Sequence, residues 1–248
     1  MNVAVIGGGG HGRVIIDMIE KAGELNLAGV LDAKLAVGGE VLGHPVLGRD
    51  SEIAALAEEH HIEGVIVAIG DNWIRSKVVA SVVEQLPQMK FPSVIHPSAQ
   101  IARGVQFWRG SVVMPGVVVN TGSQIGEFCI LNTNCSVDHD GVLGDFSSFG
   151  PNSCAGGTVH LGEFSAVSLG ANLIHNVKVG SHTVVGAGAT VVSDIPSNVV
   201  VWADGSNWRA GLLEKFPSMP PPIESPERRI RNQKPRMKTN GINSQMAI

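Results

Sequence analysis

Every sixth residue from Ile95 to Val191 is apolar, seventeen positions without a miss. The run opens with Ile95, Ile101, Phe107 and Val113 and closes with Val179, Val185 and Val191. Hydrophobic residues make up 44% of the chain, so chance gives such a run about once in a million trials for a given frame. Four residues after each apolar position sits something small or β-branched, among them Ser123, Cys129, Cys135, Ser147, Ala171 and Thr183. A six-residue period fits neither a helix nor an alternating strand. It predicts a solenoid of short flat segments that turn a corner every six residues. The large residue fills the interior, and the small one sits where walls converge. Glycine follows the apolar position at Gly126, Gly144, Gly150, Gly156, Gly162, Gly180 and Gly186, as a crowded or positive-φ corner requires.

Residues 1–94 read differently. Asn2–Ile6 predicts a buried strand, Gly7–Gly10 a turn, Gly12–Ala22 an amphipathic helix, and Leu27–Leu31 a second strand that ends at Asp32. Ser51–His60 predicts a helix with Ser51 as N-cap. Gly64–Ile69 predicts a third strand, and Asn72–Gln85 a helix capped by Asp71 or Asn72. Strand–helix alternation implies a small parallel α/β sheet, a Rossmann-like N-terminal domain, followed by the repeat over residues 95–211. The repeat stops after Ile195–Pro196. Asn198–Trp202 is expected to pair with the last coil, and Trp208–Lys215 to form a short helix. Residues 212–248 carry Pro217, Pro220, Pro221 and Pro222 and then a basic stretch, which predicts a disordered C-terminal tail.

Composition narrows the classes. The formal net charge is −4, which gives a nucleic-acid partner no support. Abundant glycine (31) and the absence of tyrosine suit a repetitive β architecture better than a helical bundle. Three cysteines at repeat-core positions argue for a reducing compartment without disulfides. No stretch reads as a signal peptide or reaches membrane-spanning length. The expectation is a cytoplasmic protein without membrane insertion.

Candidate chemistry clusters in three places. Gly7, Gly9 and Gly12 form G-x-G-x-x-G after a strand and at the start of a helix, with Asp32 twenty residues beyond Gly12. That context lets a backbone approach a diphosphate, with an acid placed for a ribose or base. About ninety residues are few for a full dinucleotide fold, which favours a nucleotide sugar over NAD. Gly70, Asn72 and Arg75 follow the third strand, where open α/β sheets bind ligands. Asn72 serves equally well as a helix cap. The third place is Asp138-His139-Asp140, the one acid–His–acid triplet in the chain.

The repeat resembles the hexapeptide repeat of the left-handed parallel β-helix proteins, in which three hexads close a triangular coil of 18 residues. On that arithmetic His139, Gly157 and His175 stack at one corner of successive coils. A base beside an exposed backbone N–H is equipment for acyl transfer, with Asp140 or Asp138 fixing the imidazole tautomer. Cys129 and Cys135, at small-core positions, are poor nucleophile candidates.

The order of parts resembles the bacterial nucleotide-sugar N-acetyltransferases that act on a 4-amino group, and the related sialic acid O-acetyltransferases. The matching stretches are Val5–Asp17, Val67–Arg75, Val94–Ala99, Leu131–Asp140 and Val185–Thr190. The resemblance implies a homotrimer with acetyl-CoA between neighbouring solenoids and a nucleotide-linked amino sugar on the N-terminal domain, in surface glycan biosynthesis. It makes His139 the catalytic base, Asp140 its partner, Asn132 an active-site residue and Gly157 the amide that contacts the acetyl carbonyl. It places Gly9, His11, Asp32, Gly70, Asn72 and Arg75 at the nucleotide sugar. His175, Gly186 and Ala187 fall near the CoA track. No metal is implied. Two departures stand out: Ser148 replaces a second active-site histidine of some relatives, and 202–209 lacks the family's Gly-x-Pro-Ala turn. A zinc hydratase of the γ-carbonic anhydrase type, using His139, His160 and His175, is the rival enzyme; His160, last in its hexad, should face elsewhere. A scaffold or sugar-nucleotide sensor is the non-enzymatic rival.

Overall fold

The computed structural model describes residues 1–201 and 208–209. Near the N-terminus, β1 (Asn2–Ile6), β2 (Asn26–Leu31), β3 (Glu40–Val41), β4 (His44–Gly48) and β5 (Gly64–Val67) form one sheet in the order β3-β4-β2-β1-β5. The pairings of β4, β2, β1 and β5 are parallel, and β3 joins β4 as an antiparallel edge. Three helices accompany the sheet: α1 (Gly10–Ala22), α2 (Ile53–Glu59) and α3 (Asn72–Gln85).

The β3–β4 hairpin was not expected. Its turn, Leu42-Gly43, has positive φ at both residues (50° and 80°). That is the requirement usually met by Asn-Gly or Asp-Gly, so leucine hid the signal. Helix α1 starts two residues ahead of the expected Gly12, with Gly9 as N-cap and its carbonyl accepting from Arg13 N–H at 3.0 Å. Ser51 is not a cap. A short 3₁₀ turn, Asp50–Glu52, precedes α2, and Glu52 Oε2 accepts the Arg49 N–H at 2.9 Å. Helix α3 has the expected bounds, and Asp71 is its cap, with Oδ1 accepting the Ile74 N–H at 2.7 Å.

From Val94 the chain winds into a left-handed, three-sided parallel β-helix. Up to Val191, rungs pair with residues eighteen away: Val118 with Gln100 and Ser136, Gln124 with Gln106 and Val142, Ile130 with Val112 and Ser148. The interior is built as the period requires, with Val113, Val119, Ile125, Leu131 and Phe149 at 0% exposure. The small residues Ser123, Cys129, Cys135 and Ser147 are equally buried. Only the open N-terminal end departs, where Ile95 is 37% exposed. Helix α1 reaches this end. Its Ile15, Ile16 and Ile19 share one apolar cluster with Val94, Val112 and Val113.

The corner glycines act through crowding, not through φ. A Cβ on Gly156 would stand 2.7 Å from His175 N of the next coil. The left-handed backbone falls instead three residues after each apolar position from Ile101 to Val185, first on Gly104, Gly110, Gly116 and Gly122 and then on Phe128, Asn134, Asp140 and Phe146. The last lap shortens: Val200–Val201 pairs with Val184–Val185, sixteen residues back. Trp208–Arg209 then pairs antiparallel with Val200–Val201. This strand replaces the start of the helix expected from Trp208. The rest of that segment and the 212–248 tail lie outside the described residues.

Candidate active site

The eighteen-residue lap brings His139, Gly157 and His175 to one edge of the prism. Thr158 N–H donates to His139 O at 2.8 Å, and Asn176 N–H donates to Gly157 O at 2.9 Å. The imidazole of His139 lies over Gly157: a Cβ there would collide with Nε2 and stand 2.6 Å from Cε1. No acceptor takes the Gly157 N–H among the described residues. His139 Nδ1 is 2.8 Å from Asp140 Oδ2. With Asp140 ionised, Nδ1 carries the proton and donates it, which leaves the Nε2 lone pair free.

The two flanking acids have different tasks. The hydrogen bond that His139 Nδ1 donates to Asp140, helped by the charges of Asp138 and Asp140, raises the His139 pKa above its ordinary value against the opposing effect of desolvation. Asp138 does not touch the ring. Its Oδ1 accepts from Asn120 Nδ2 at 2.7 Å and from His139 N–H at 2.8 Å. The Asn120 hydrogen bond leads in holding the Asp138 carboxyl below the usual range. Beneath both, the buried Ser123 hydroxyl donates to Asp138 O at 2.9 Å and accepts from Gly141 N–H at 3.1 Å. Asn120 went unread in the sequence and Ser123 was read only as a small repeat position, though each stands eighteen residues before a residue of this corner.

A second cluster occupies the edge at the other end of the same β-helix face. Here a cleft of about 180 Å³ is lined by His11 from helix α1, by Gly70 from the loop after β5, and by Asn132, Ser148, Phe149 and Ser168 from three successive coils. Asn132 Oδ1 accepts the Thr133 N–H at 2.8 Å, so its amide NH₂ is the group left for a ligand. His11 Nε2 is buried without a partner. Burial, with the charge of Arg75 second, pushes the His11 pKa down to about 4, so at neutral pH the ring is uncharged. Gly186 and exposed Ala187 lie on this edge, two coils above Gly150. His175 lies on the other. Asn132 and His139 are separated by seven residues of nearly extended chain, on the order of 20 Å.

At the glycine loop, a Cβ on Gly12 would collide with Gly7 O, whereas Gly9 and Gly10 face open space. Gly7 and Gly12 therefore shape the turn, and Gly9 leaves its outer side accessible. Asp32 accepts backbone N–H groups from Gly8 (2.8 Å), Lys34 (2.8 Å) and Leu35 (3.1 Å). Desolvation alone would raise its pKa, but these three donors outweigh it and hold the carboxyl below its ordinary value. An anionic carboxylate thus stands at the end of β2.

Arg75 and Asn72, expected at the nucleotide sugar, are both engaged within the protein. Arg75 is 1% exposed, and all five of its N–H donors are engaged within the protein. Nε donates to Phe128 O (2.9 Å), one terminal nitrogen to Ile69 O (3.0 Å) and Gly70 O (3.2 Å), and the other to Asn72 Oδ1 (2.7 Å) and Phe146 O (3.1 Å). Burial lowers its pKa to about 10, which still leaves it cationic at neutral pH. Asn72 Nδ2 is turned to Phe164 O and Ser165 O at 3.4 and 3.3 Å. Neither side chain has a donor free for a ligand. Three of the carbonyls they serve belong to Phe128, Phe146 and Phe164, whose rings stack at 5.0 and 5.2 Å along the edge beneath α3.

The cysteines fit the inert role expected. Burial pushes the Cys129 thiol up to about 11 and the Cys135 thiol up to about 12. Among the described residues, no three His, Cys, Asp or Glu side chains are grouped as metal ligands would be. His160 sits on a strand of the next face rather than at the corner of His139 and His175. No helix among the described residues is long and apolar enough to cross a membrane.

Residues 2–82 match the family described as the PglD N-terminal domain. The UDP-N-acetylbacillosamine N-acetyltransferase of Bacillus subtilis (strain 168) is 31% identical over 115 residues, 46% of this chain and 51% of that protein. The match thus spans about half the length of this curated relative. PerB from Caulobacter crescentus, solved with CoA and GDP-perosamine, is 38% identical with a TM-score of 0.75. That match covers 81% of this chain and 93% of PerB. The acetyltransferase domain of PglB from Neisseria gonorrhoeae FA1090, solved with acetyl coenzyme A, is 33% identical with a TM-score of 0.73 over 80% of this chain and 94% of that one.

Proposed function

The chain belongs to the hexapeptide-repeat family of nucleotide-sugar N-acetyltransferases, and on that footing we propose that it moves the acetyl group of acetyl-CoA to the 4-amino group of a nucleotide-linked 4-amino-4,6-dideoxy sugar. Residues 1–94 bind the nucleotide sugar, and residues 95–211 carry out the transfer. The observation that carries the reading is the His139 corner: an imidazole whose Nδ1 meets Asp140, its Nε2 directly over a glycine whose N–H finds no acceptor among the described residues.

The chemistry follows from that placement. The amine lone pair attacks the thioester carbonyl, a C–N bond forms, and His139 Nε2 removes the proton that the nitrogen must lose. The carbonyl oxygen becomes an oxyanion, which the Gly157 N–H stabilises. Collapse breaks the C–S bond, and the proton passes from His139 to the departing CoA thiolate. Asp140 holds the ring and stabilises the imidazolium. A positioned base contributes about 10²- to 10⁴-fold. The sequence needs neither a covalent enzyme intermediate nor a metal.

Neutral His11, Gly9, Gly70 and Asp32 are the residues we assign to the nucleotide sugar, with Asn132 and Ser148 at the sugar ring. His175 on one edge, and Gly186 and Ala187 on the other, are assigned to CoA. Because the cleft and His139 stand about a face apart, one chain does not supply a whole site. A homotrimer, in which the His139 edge of one copy meets the cleft edge of the next, does. Use of acetyl-CoA and the free cysteines support a cytoplasmic setting. The test is a turnover screen with acetyl-CoA and a panel of nucleotide-linked 4-amino-4,6-dideoxyhexoses together with a sialic acid, reading thiol release. Release with one member and a 4-acetamido product supports the reading. Release only with a sialic acid points to O-acetylation, and release with none refutes both.

A further inference from the structure

Arg75 has the inventory of a ligand-binding guanidinium and none of the freedom. Its five donors meet five oxygens drawn from three parts of the fold: the loop after β5 (Ile69 O, Gly70 O), the first turn of α3 (Asn72 Oδ1), and the corners of two successive coils (Phe128 O, Phe146 O). The corner carbonyls are available for a physical reason. Phe128 and Phe146 have left-handed backbone, φ 53° and 57°, and no backbone N–H among the described residues reaches their oxygens. The same corner on the next coil, Phe164, offers its carbonyl to Asn72. The β-helix therefore presents a column of oxygens at eighteen-residue spacing, and the start of α3 reads it with one cation and one amide. Lysine cannot replace this fit, because an ammonium has three donors at one point and not five in a planar fork.

What the clamp fixes is the cleft. Gly70, held through its own carbonyl by Arg75, lines it on one side. Asn132, Ser148 and Ser168 line it from the coils. His11 stands in the same lining, on the helix that follows the glycine loop. We propose that Arg75 is a positioning residue for the nucleotide-sugar cleft, joining the Gly70 loop to the coil corners so that the two walls keep their spacing, and that Asn72 extends the same clamp. This rests on the cleft being the nucleotide-sugar site. A wall displaced by about 1 Å weakens binding at that cleft roughly 10- to 100-fold. It leaves the His139–Gly157 corner, on the other edge, untouched.

The experiment compares Arg75→Lys, Arg75→Met and Asn72→Ala with the wild type, all as full chains. Asn72→Ala keeps the guanidinium and four of its five acceptors, so it covers the case in which Arg75→Met fails to fold. The expected result is a KM for the nucleotide sugar raised roughly 10-fold or more in Arg75→Lys and less in Asn72→Ala. The KM for acetyl-CoA and the pH profile of kcat stay as in the wild type. An unchanged nucleotide-sugar KM in folded Arg75→Lys overturns the proposal, as does an equal loss in kcat and in both KM values. If the wild type itself turns over no sugar, the functional reading fails instead. Amide exchange across 66–75 then decides the clamp: faster exchange in Arg75→Lys upholds it, and unchanged protection overturns it.

Discussion

Gly157→Ala tests the stacked corner with one methyl group. The added Cβ would lie 2.6 Å from His139 Cε1 and 3.1 Å from Cδ2, where carbon atoms ordinarily stand about 3.5 Å apart. The imidazole must therefore retreat by about 1 Å, and the exposed side of the corner gives it room. The backbone at 157 is not in the left-handed region, so alanine is tolerated there, and the N–H donor remains. The substitution thus leaves fold and oxyanion donor in place and moves only the base. A displacement of that size costs about 10²-fold in rate, equivalent to about 2.7 kcal/mol of transition-state stabilisation. The assay is steady-state thiol release, with thermal unfolding as a control for the fold. Because both changes act on one base, Gly157→Ala added to His139→Asn should cost little beyond His139→Asn alone. Wild-type kcat/KM in folded Gly157→Ala, or fully additive losses in the double variant, would refute the geometry.

Three further outcomes are expected. Asp140→Asn removes the group that raises the His139 pKa, so the acid limb of kcat/KM, which reports loss of the neutral base as pH falls, should move to lower pH while kcat drops. An acid limb that stays in place would separate Asp140 from the titration. His11, with a pKa near 4, should show no NMR titration between about pH 5.5 and 8, and His11→Ala should raise the nucleotide-sugar KM more than it lowers kcat. Chains carrying Asn132→Ala and chains carrying His139→Asn, each inactive alone, should recover roughly a quarter of wild-type activity when assembled together in equal amounts, since half the sites take each residue from an intact edge. No recovery would mean that one chain supplies both groups.

The β-helix was legible because its constraint is repeated. Each interior position must be apolar and each converging position small, so one period specifies every rung from Val113 to Val191. The His139–Gly157 stack follows from the same repeat once the resemblance supplies three hexads to a lap. The Leu42-Gly43 turn was not legible, because its conformation is set by the pairing of β3 with β4 and not by a residue that prefers it. The internal role of Arg75 was not legible for a related reason. Its partners are backbone oxygens, and backbone oxygens have no letter in the sequence. Phe128, Phe146 and Phe164, at eighteen-residue spacing, were the visible trace of the edge it grips. The distance between Asn132 and His139 also escaped a linear reading, since seven residues look close along the chain yet span a whole face of the prism.

The most direct measurement pairs binding with turnover in His139→Asn, supplied with acetyl-CoA and the nucleotide-linked amino sugar that the wild type consumes. The account predicts calorimetric affinities for both substrates within about threefold of wild type, and thiol release slowed by about 10²-fold or more. Release at the wild-type rate would show that the proton leaves by another route, and the His139 corner would then have no part in the reaction.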